Sequence, residues 1–247
     1  MPVFKFSGRI LPNQMKVSLA DRPKFSMRNA ETIADTVFEV EVIDSRLTVI
    51  ADTAEETDFT ALFFHAYDLA RSLCDVLTTT DGVVHLPLLD MVELPDGQHT
   101  PTILADRRLG RLFSVHEHYD FEAILELVVT DIRIARLLAD VTSMLTWTHY
   151  APIAAGRVAE SIRVLLTGGR SAADWATMRD QLNIDRDYLQ LLTDHSTPPR
   201  HGDRQYVDAA TNSKLAERAW TLADRFLTFR LGGSKALDEE RYPRLMG

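Results

Sequence analysis

The sequence predicts an α+β fold in which a small antiparallel-type β-sheet with one helix is followed by an α-helical bundle. In the first half, short segments alternate apolar and polar residues, which is the period expected of half-buried strands. From Asp120 onward, apolar residues recur instead at the 3.6-residue spacing of helices. Because a chain of 247 residues can form two modest cores, we predict two domains, residues 1–115 and 116–247.

The strands of the first half are predicted from alternation and from turn residues. Residues 3–10 form a first strand, and residues 15–19 are predicted to return beside it as its hairpin partner. Residues 37–52 form the clearest hairpin, with Asp44 and Ser45 at the turn. Further strands are predicted at residues 83–93, 102–105 and 112–115.

One helix is predicted in the first half, beginning at Thr57 or Asp58 and ending near Leu77. Its apolar stripe consists of Phe59, Leu62, Phe63, Ala66, Leu69, Ala70 and Leu73. Cys74 lies on the same helix with no histidine nearby in the sequence, so we interpret it as a small core residue and not as a nucleophile.

Helices account for the second half. The first is predicted to run for seven turns from Asp120 and to end before Pro152, which lacks a backbone donor. Its predicted buried stripe is Phe121, Ile124, Leu125, Val128, Ile132, Ala135, Leu138, Val141 and Leu145. Further helices are predicted at residues 153–166, 171–182, 185–192 and 209–231. Pro198 and Pro199 predict a loop between the last two helices, and the residues after Gly233 are predicted to form a loose tail.

Composition excludes several classes of protein. The net charge of −9 argues against a general phosphate-binding surface of the kind that binds nucleic acids non-specifically. The longest stretch without an Asp, Glu, Lys or Arg, residues 141–156, contains His149 and Pro152, so we expect no membrane partner. With one cysteine and no secretory leader pattern, we expect a cytoplasmic protein. Ordinary phosphate-binding loops, Rossmann glycine motifs, nucleophile elbows and HExxH zinc motifs are absent from the sequence.

Two histidines and an aspartate near the domain boundary allow two interpretations. His116 and His118 would lie on one side of an extended segment, and with Asp120 they could bind zinc or iron. Alternatively the segment is a connector in which Asp120 caps the following helix. We favour the cap and predict neither a metal nor another cofactor.

A candidate ligand-binding site is predicted where charged residues are most concentrated. Arg157, Glu160 and Arg163 follow each other at three-residue spacing on one predicted helix, which is also typical of a solvated face. The predicted loop from Asp194 to Arg204 combines histidines, which can move protons, with arginines, which can hold an anion. It could equally be a polar surface loop. The candidate residues are Arg157, Glu160, Arg163, His195, Arg200, His201 and Arg204.

The second half resembles the HEPN superfamily of nucleotide-binding and ribonuclease-like helical domains. The resemblance rests on Glu160 within RVAESIRVLL, on the helices that follow, and on His201 and Gly202 shortly before the final helix. Active HEPN members cleave RNA without metal, using an Arg separated from a His by four to six residues. In this sequence the corresponding window, residues 194–196, contains no Arg, and Arg200 is adjacent to His201. The resemblance therefore implies a helical scaffold more than it implies nuclease activity.

The function that these observations favour is a non-catalytic interaction or ligand-sensing protein. Its partner would be a protein, a nucleotide or RNA, and the chain could form a homodimer. The alternative is a metal-independent ribonuclease or phosphotransfer enzyme in which His201 acts as acid or base. In that enzyme Arg200, Arg157 or Arg163 would hold the phosphate.

Overall fold

The structure is a computed structural model that describes residues 1–12, 14–27, 34–55, 57, 59–102, 112, 114–147, 150–203 and 207–247. The chain forms two compact units, residues 1–103 and residues 104–247. The first is a sheet with one helix and the second is a helical bundle, which confirms the predicted α+β class. In the described part of the chain, no helix is both long and apolar enough to cross a membrane.

The sheet unit contains six strands in the order β2-β3-β4-β1-β5-β6, and every neighbouring pair is antiparallel. The strands are β1 Val3–Leu11, β2 Lys24–Met27, β3 Thr36–Ile43, β4 Arg46–Thr53, β5 Leu86–Glu93 and β6 His99–Pro101. Helix α1, Phe59–Asp81, packs against β1, β4 and β5. Of its predicted stripe, Leu62, Phe63, Ala66 and Ala70 are buried and Leu69 and Leu73 half-buried, while the side chain of Phe59 lies outside the described residues.

The β3–β4 hairpin forms as predicted. Asp44 and Ser45 have φ values of 50° and 66°, and two consecutive left-handed residues are what a tight hairpin turn requires. The predicted strand at residues 15–19 is wrong, because β1 pairs with β4 on one side and β5 on the other. That segment instead borders the hairpin turn, where Val17 accepts a hydrogen bond from the backbone of Ser45.

The core position of Cys74 is confirmed. Its side chain is buried in α1, and this burial raises the pKa of the thiol to about 11. The thiol is therefore protonated at neutral pH, as expected of a packing residue and not of a nucleophile.

The helical unit is arranged around a central helix. Its helices are α2 Phe121–Thr130, α3 Ile132–Thr146, α4 Ala151–Thr167, α5 Ala172–Leu182, α6 Arg186–Arg200 and α7 Ala209–Leu231. A short 3₁₀ helix, Val115–Glu117, precedes them and begins at the last residue of the predicted strand 112–115. Most of the predicted strand at 102–105 lies outside the described residues. Helix α4 packs against α3, α5, α6 and α7, and its buried small residues allow this close approach.

The predicted seven-turn helix is wrong, because it is broken at Asp131. The Asp131 side chain accepts a hydrogen bond from the backbone N–H of Arg133 and so starts a new helix. The break changes which residues face the core: Ile132 is 63% exposed, whereas Ile134, Leu137 and Val141 are buried. Of the rest of the predicted stripe, Phe121 and Leu125 are exposed, Ile124, Val128, Ala135 and Leu138 are half-buried, and the side chain of Leu145 lies outside the described residues.

The predicted loop after residue 194 is also partly wrong, because α6 continues through Pro198 and Pro199 to Arg200. Both prolines lie in the last turn, so only the carbonyls of Asp194 and His195 lose a backbone donor. The helix then ends at His201, and Gly202 takes the left-handed conformation with φ of 86°.

The C-terminal tail is anchored and not loose. The buried side chain of Asn183, between α5 and α6, donates hydrogen bonds to the carbonyls of Leu237 and Tyr242. Arg225, buried in α7, donates to the carbonyl of Pro243, and Leu245 forms a backbone bridge with Ile184. The tail is therefore a structural part of the helical unit.

Candidate functional site

The three charged residues predicted on α4 contact three different neighbours. Arg157 forms an ion pair with Asp140 of α3, with 3.1 Å between Nε and Oδ2. Glu160 accepts a 2.8 Å hydrogen bond from Arg200 of α6. Arg163 is buried against α5. The spacing of these residues along the helix therefore does not bring their charges to one place.

Arg200 joins the predicted segment to α4 through Glu160 and also contacts Ser196 within its own helix. Besides Glu160, its guanidinium donates to the hydroxyl and the carbonyl of Ser196, at 3.1 and 3.2 Å. His201 is exposed at the end of α6 and makes no hydrogen bond or ion pair with Arg157 or Arg163 among the described residues. His195 is half-buried on α6, and Arg204 lies outside the described residues.

Arg163 links the predicted residues to a groove that the sequence analysis did not identify. Its guanidinium carbon lies 4.5 Å from the ring centroid of Trp175, and its Nη1 donates to the carbonyl of Arg170. Its Nε is buried without a hydrogen-bond partner among the described residues. A hydrogen bond from the Ser171 hydroxyl holds the pKa of Asp174 below its usual value, and Arg163 contributes in the same direction, so a carboxylate balances part of this charge.

The groove lies between α5 and α6 and has a volume of about 520 Å³. This size falls within the range of small-molecule sites in proteins. Its lining combines one indole ring, two guanidinium groups, one amide and one carboxylate: Ala172, Trp175, Arg179, Arg186, Gln190, Thr193 and Asp194.

Local sequence explains why these side chains share a groove. Trp175 and Arg179 are one helical turn apart on α5, and Arg186, Gln190 and Asp194 are successive turns apart on α6. Helices α5 and α6 each pack against α4 but not closely against each other, which leaves space between them. A capping box at Ser171 starts α5, and Asp185 caps α6.

The groove carries an excess of positive charge. Neither Arg179 nor Arg186 has an acidic or hydrogen-bonding partner for its side chain in the described ranges, and Arg163 lies behind Trp175. Asp194 is the one carboxylate among the described residues of the lining. Unpaired guanidinium groups beside an aromatic ring are suited to binding an anion that carries a planar ring.

Sequence reasoning missed Trp175, Arg179, Arg186 and Gln190. A signal was present, because both helices place polar or aromatic residues at four-residue spacing on one face. This spacing alone does not predict a groove, because the sequence does not show that α5 and α6 leave a gap between them. Among the described residues of the predicted loop, 194–203, Asp194 alone lines the groove.

The segment of His116, His118 and Asp120 acts as a connector and cap. Asp120 accepts a 2.8 Å hydrogen bond from the backbone of Ala123 and starts α2, as predicted. The Nε2 of His118 lies 2.6 Å from Nη2 of Arg241, while the side chain of His116 lies outside the described residues. No cluster of three metal-ligating side chains occurs in the described part of the chain.

Two family models match the chain. Residues 4–102 match the N-terminal domain, and residues 121–231 the C-terminal domain, of a domain of unknown function, DUF8168. No curated protein and no solved structure matches the chain significantly. The resemblance to HEPN domains stays a prediction, since neither matching model concerns that superfamily. The two matches cover most of the chain and follow its two units closely, so the chain belongs to the DUF8168 family.

Proposed function

We propose that the protein is a non-catalytic ligand-sensing protein that binds a mononucleotide in the groove between α5 and α6. The observation that carries this proposal is the combination of Trp175 with the unpaired Arg179 and Arg186 around a volume of about 520 Å³. A base can stack on the aromatic ring, a phosphate can bind to the permanent cations, and a ribose can form hydrogen bonds with the polar groups.

Trp175 provides the surface for the base. One side of its ring is occupied by Arg163, whose guanidinium carbon lies 4.5 Å from the centroid, and the half-buried ring lines the groove. Stacking of a nucleobase on an aromatic side chain contributes about 1–3 kcal/mol. The cation behind the ring also keeps the indole in place, so little side-chain entropy is lost on binding.

Arg179 and Arg186 provide the phosphate contacts. Guanidinium groups donate paired hydrogen bonds that match the oxygens of a phosphate, and both groups retain their donors in the described structure. Gln190 and Asp194, further along α6, can accept hydrogen bonds from ribose hydroxyls. The carboxylate of Asp194 repels a phosphate but can accept hydrogen bonds from hydroxyl groups. The lining therefore favours a ligand that carries a phosphate for the arginines and hydroxyl groups for the carboxylate.

A mononucleotide fits the groove better than RNA does. Among the residues that the structure describes, the lining contains a single aromatic ring, whereas single-stranded nucleic acids are bound on several stacking residues along a basic surface. The chain carries a net charge of −9, which opposes binding of a polyanion. The HEPN resemblance of the second half is compatible with a nucleotide ligand, and a cytoplasmic location remains our proposal.

Calorimetric titration tests the proposal, with AMP and ADP as ligands and adenosine and single-stranded oligoadenylate RNA as comparisons. We expect the nucleotides to bind, and we expect Trp175→Leu and Arg186→Gln each to weaken binding about tenfold or more. Arg136→Gln is the matched control, because Arg136 is an exposed arginine on α3 and does not line the groove. Equal weakening in the control, or no binding by the parent, would contradict the proposal.

The enzymatic alternative is tested with the same RNA in the absence of metal. Cleavage by the parent that is lost in His201→Ala would establish it against our proposal. Homodimer formation also stays a prediction. The exposed apolar residues Phe121, Leu125 and Val129 of α2 offer a surface for it, and light scattering would measure it.

A further inference from the structure

We propose that a second site, remote in sequence from the groove, binds a small phosphate-type oxyanion. It is a cavity of about 170 Å³ formed by the end of α7, the 3₁₀ segment and the C-terminal tail. Such a volume is small for a complete metabolite but is sufficient for a phosphate group. The residues that carry the argument are His118, Thr228, Lys235 and Arg241, all of which line the cavity.

The walls of this cavity are held in place before any ligand binds. On one side, Asp224 of α7 accepts hydrogen bonds from the Ser114 hydroxyl and the Val115 backbone. On the other, Asn183 fixes the tail through the carbonyls of Leu237 and Tyr242. A preorganised site loses less conformational entropy on binding than a flexible one does.

Two cations in the cavity lack an acidic partner. Neither Lys235 nor Arg241 forms an ion pair with a carboxylate in the ranges that the structure describes. The carboxylate of Asp238 also lines the cavity, where it accepts a hydrogen bond from the backbone of Glu240. Lys235 and Arg241 against Asp238 therefore give the described lining one net positive charge, without counting His118.

The cations are not needed to satisfy the end of α7. The carbonyls of Thr228, Phe229 and Arg230 accept backbone hydrogen bonds from the three residues that follow the helix, residues 232–234. The orphan carbonyls of a helix end are the usual acceptors for nearby lysines and arginines. Since these carbonyls already have donors, Lys235 and Arg241 remain available to a ligand.

His118 positions Arg241. A guanidinium group can only donate, so the 2.6 Å contact between Nη2 of Arg241 and Nε2 of His118 requires an imidazole that accepts at Nε2. The ring of Tyr242, 5.6 Å from the guanidinium carbon of Arg241, restrains the same group. His118 is thus a positioning residue that directs a cation and does not itself need to touch the anion.

Thr228 is an independent indication of a ligand. It is only 6% exposed, and its hydroxyl is buried without a hydrogen-bond partner among the described residues. A buried hydroxyl without a partner is costly, and an oxyanion in the cavity would provide an acceptor. Because this hydroxyl is enclosed in the free protein, its donation to an anion requires a local side-chain movement, while the anchored backbone of the walls stays in place.

Calorimetric titration of the full chain with inorganic phosphate at constant ionic strength tests this site. We expect the parent to bind, and Arg241→Gln and Lys235→Gln to bind about tenfold more weakly or worse, because charge-assisted hydrogen bonds are lost. Arg244→Gln is the matched control, since Arg244 lies on the same tail outside the cavity and has only long contacts, of 3.8 and 3.9 Å, with Asp180 and Glu239. No binding by the parent, or equal weakening in the control, would overturn the proposal.

Two further variants separate a binding role from a structural one. Thr228→Val removes a hydroxyl that has no partner in the free protein, so it should weaken phosphate binding without lowering the melting temperature. His118→Gln should keep more affinity than His118→Leu, because glutamine retains an acceptor for Arg241. Equal affinities in these two His118 variants would contradict the positioning role.

The source of the phosphate and the independence of the two sites are tested in the same titrations. Tighter binding of glycerol phosphate than of inorganic phosphate would show that the ligand is a phosphate ester, and the reverse order would show that it is the free ion. Arg179→Gln and Arg186→Gln, which remove the phosphate contacts proposed for the groove, should each leave the affinity for inorganic phosphate unchanged. The oxyanion site can therefore be confirmed or refuted independently of the nucleotide groove.

Discussion

Gly8 in the sheet unit and Gly156 in the helical unit both occupy places where a Cβ atom would overlap a neighbour, but the neighbours differ in kind. At Gly8, where the pairing of β1 with β5 is irregular, a Cβ would lie 1.8 Å from the backbone oxygen of Leu88. At Gly156, where α4 crosses α6, it would lie 2.1 Å from the hydroxyl oxygen of Ser196. Backbone atoms set the approach in the sheet, whereas side chains set it between the helices.

This difference determines which contacts a second substitution can restore. The position of the Leu88 carbonyl is fixed by the strand to which it belongs, and no side-chain change removes it. The Ser196 side chain can be removed, and its hydroxyl also accepts a hydrogen bond from Arg200, so the helical contact is adjustable and coupled to polar neighbours. An overlap at Gly156 can therefore be relieved by a compensating side-chain substitution, whereas an overlap at Gly8 cannot.

The largest effect is expected for Gly8→Ala. A Cβ within 1.8 Å of the Leu88 oxygen would force β1 and β5 apart, and overpacking of this kind costs about 3 kcal/mol or more. Hydrogen exchange of the β1 and β5 amides measures this loss of stability in the sheet. All three tryptophans lie in the helical unit, so tryptophan fluorescence provides an internal control. Restoration of stability by Leu88→Ala would show that the side chain, and not the backbone, sets the approach.

A smaller loss is expected for Gly156→Ala, about 1–2 kcal/mol, because the better helix propensity of alanine offsets part of the overlap with Ser196. Urea unfolding followed by tryptophan fluorescence measures the free energy of unfolding. We expect Ser196→Gly to cost clearly less in the Gly156→Ala background than in the parent. Strictly additive effects of the two changes would contradict the side-chain explanation.

The smallest effect is expected for Asp131→Ala, about 1 kcal/mol at neutral pH, from loss of the cap that starts α3. Hydrogen bonding to Arg133 lowers the pKa of Asp131 to about 2. The stabilisation is therefore complete above the unfolded pKa, near 3.9, and is lost as the pH falls toward 2. Urea unfolding of parent and variant across this range should show their difference shrinking.

Asp131→Asn is the control for that experiment. It keeps a capping oxygen without a titrating charge, so its stability relative to Asp131→Ala should not change between pH 4 and pH 2. A difference between the parent and Asp131→Ala that stays constant over this range would contradict the role of the ionised carboxylate.

Elements whose apolar pattern runs without interruption could be predicted from sequence alone. The β3–β4 hairpin has its predicted turn, and α7 spans the predicted residues 209–231. The apolar residues that recur along α7 at helical spacing are buried: Leu215, Ala219, Leu222, Ala223, Phe226 and Leu227. The buried face predicted for residues 120–145 was wrong because the Asp131 side chain starts a new helix there, which changes the residues that face the core. The spacing of apolar residues predicts a buried face only within one uninterrupted helix.

The candidate sites were less predictable than the fold. Charges close in sequence, such as Arg157, Glu160 and Arg163, were expected to act together, yet each contacts a different helix. The groove joins Trp175 and Arg179 to Arg186 and Gln190 because α5 and α6 both pack against α4. The tail cavity joins residues more than a hundred positions apart, such as His118 and Arg241.

By itself, the sequence determined the α+β class, the positions of β1, the β3–β4 hairpin, α1 and α7, and part of the buried stripe of α1. These depend on local periodicity, caps and turns, which act over a few residues and are readable along the chain. Only the tertiary structure decided the face of α3, the anchoring of the tail and the grouping of the arginines. These depend on which helices touch and on where gaps remain between them, and neither is encoded in the spacing of residues within one segment.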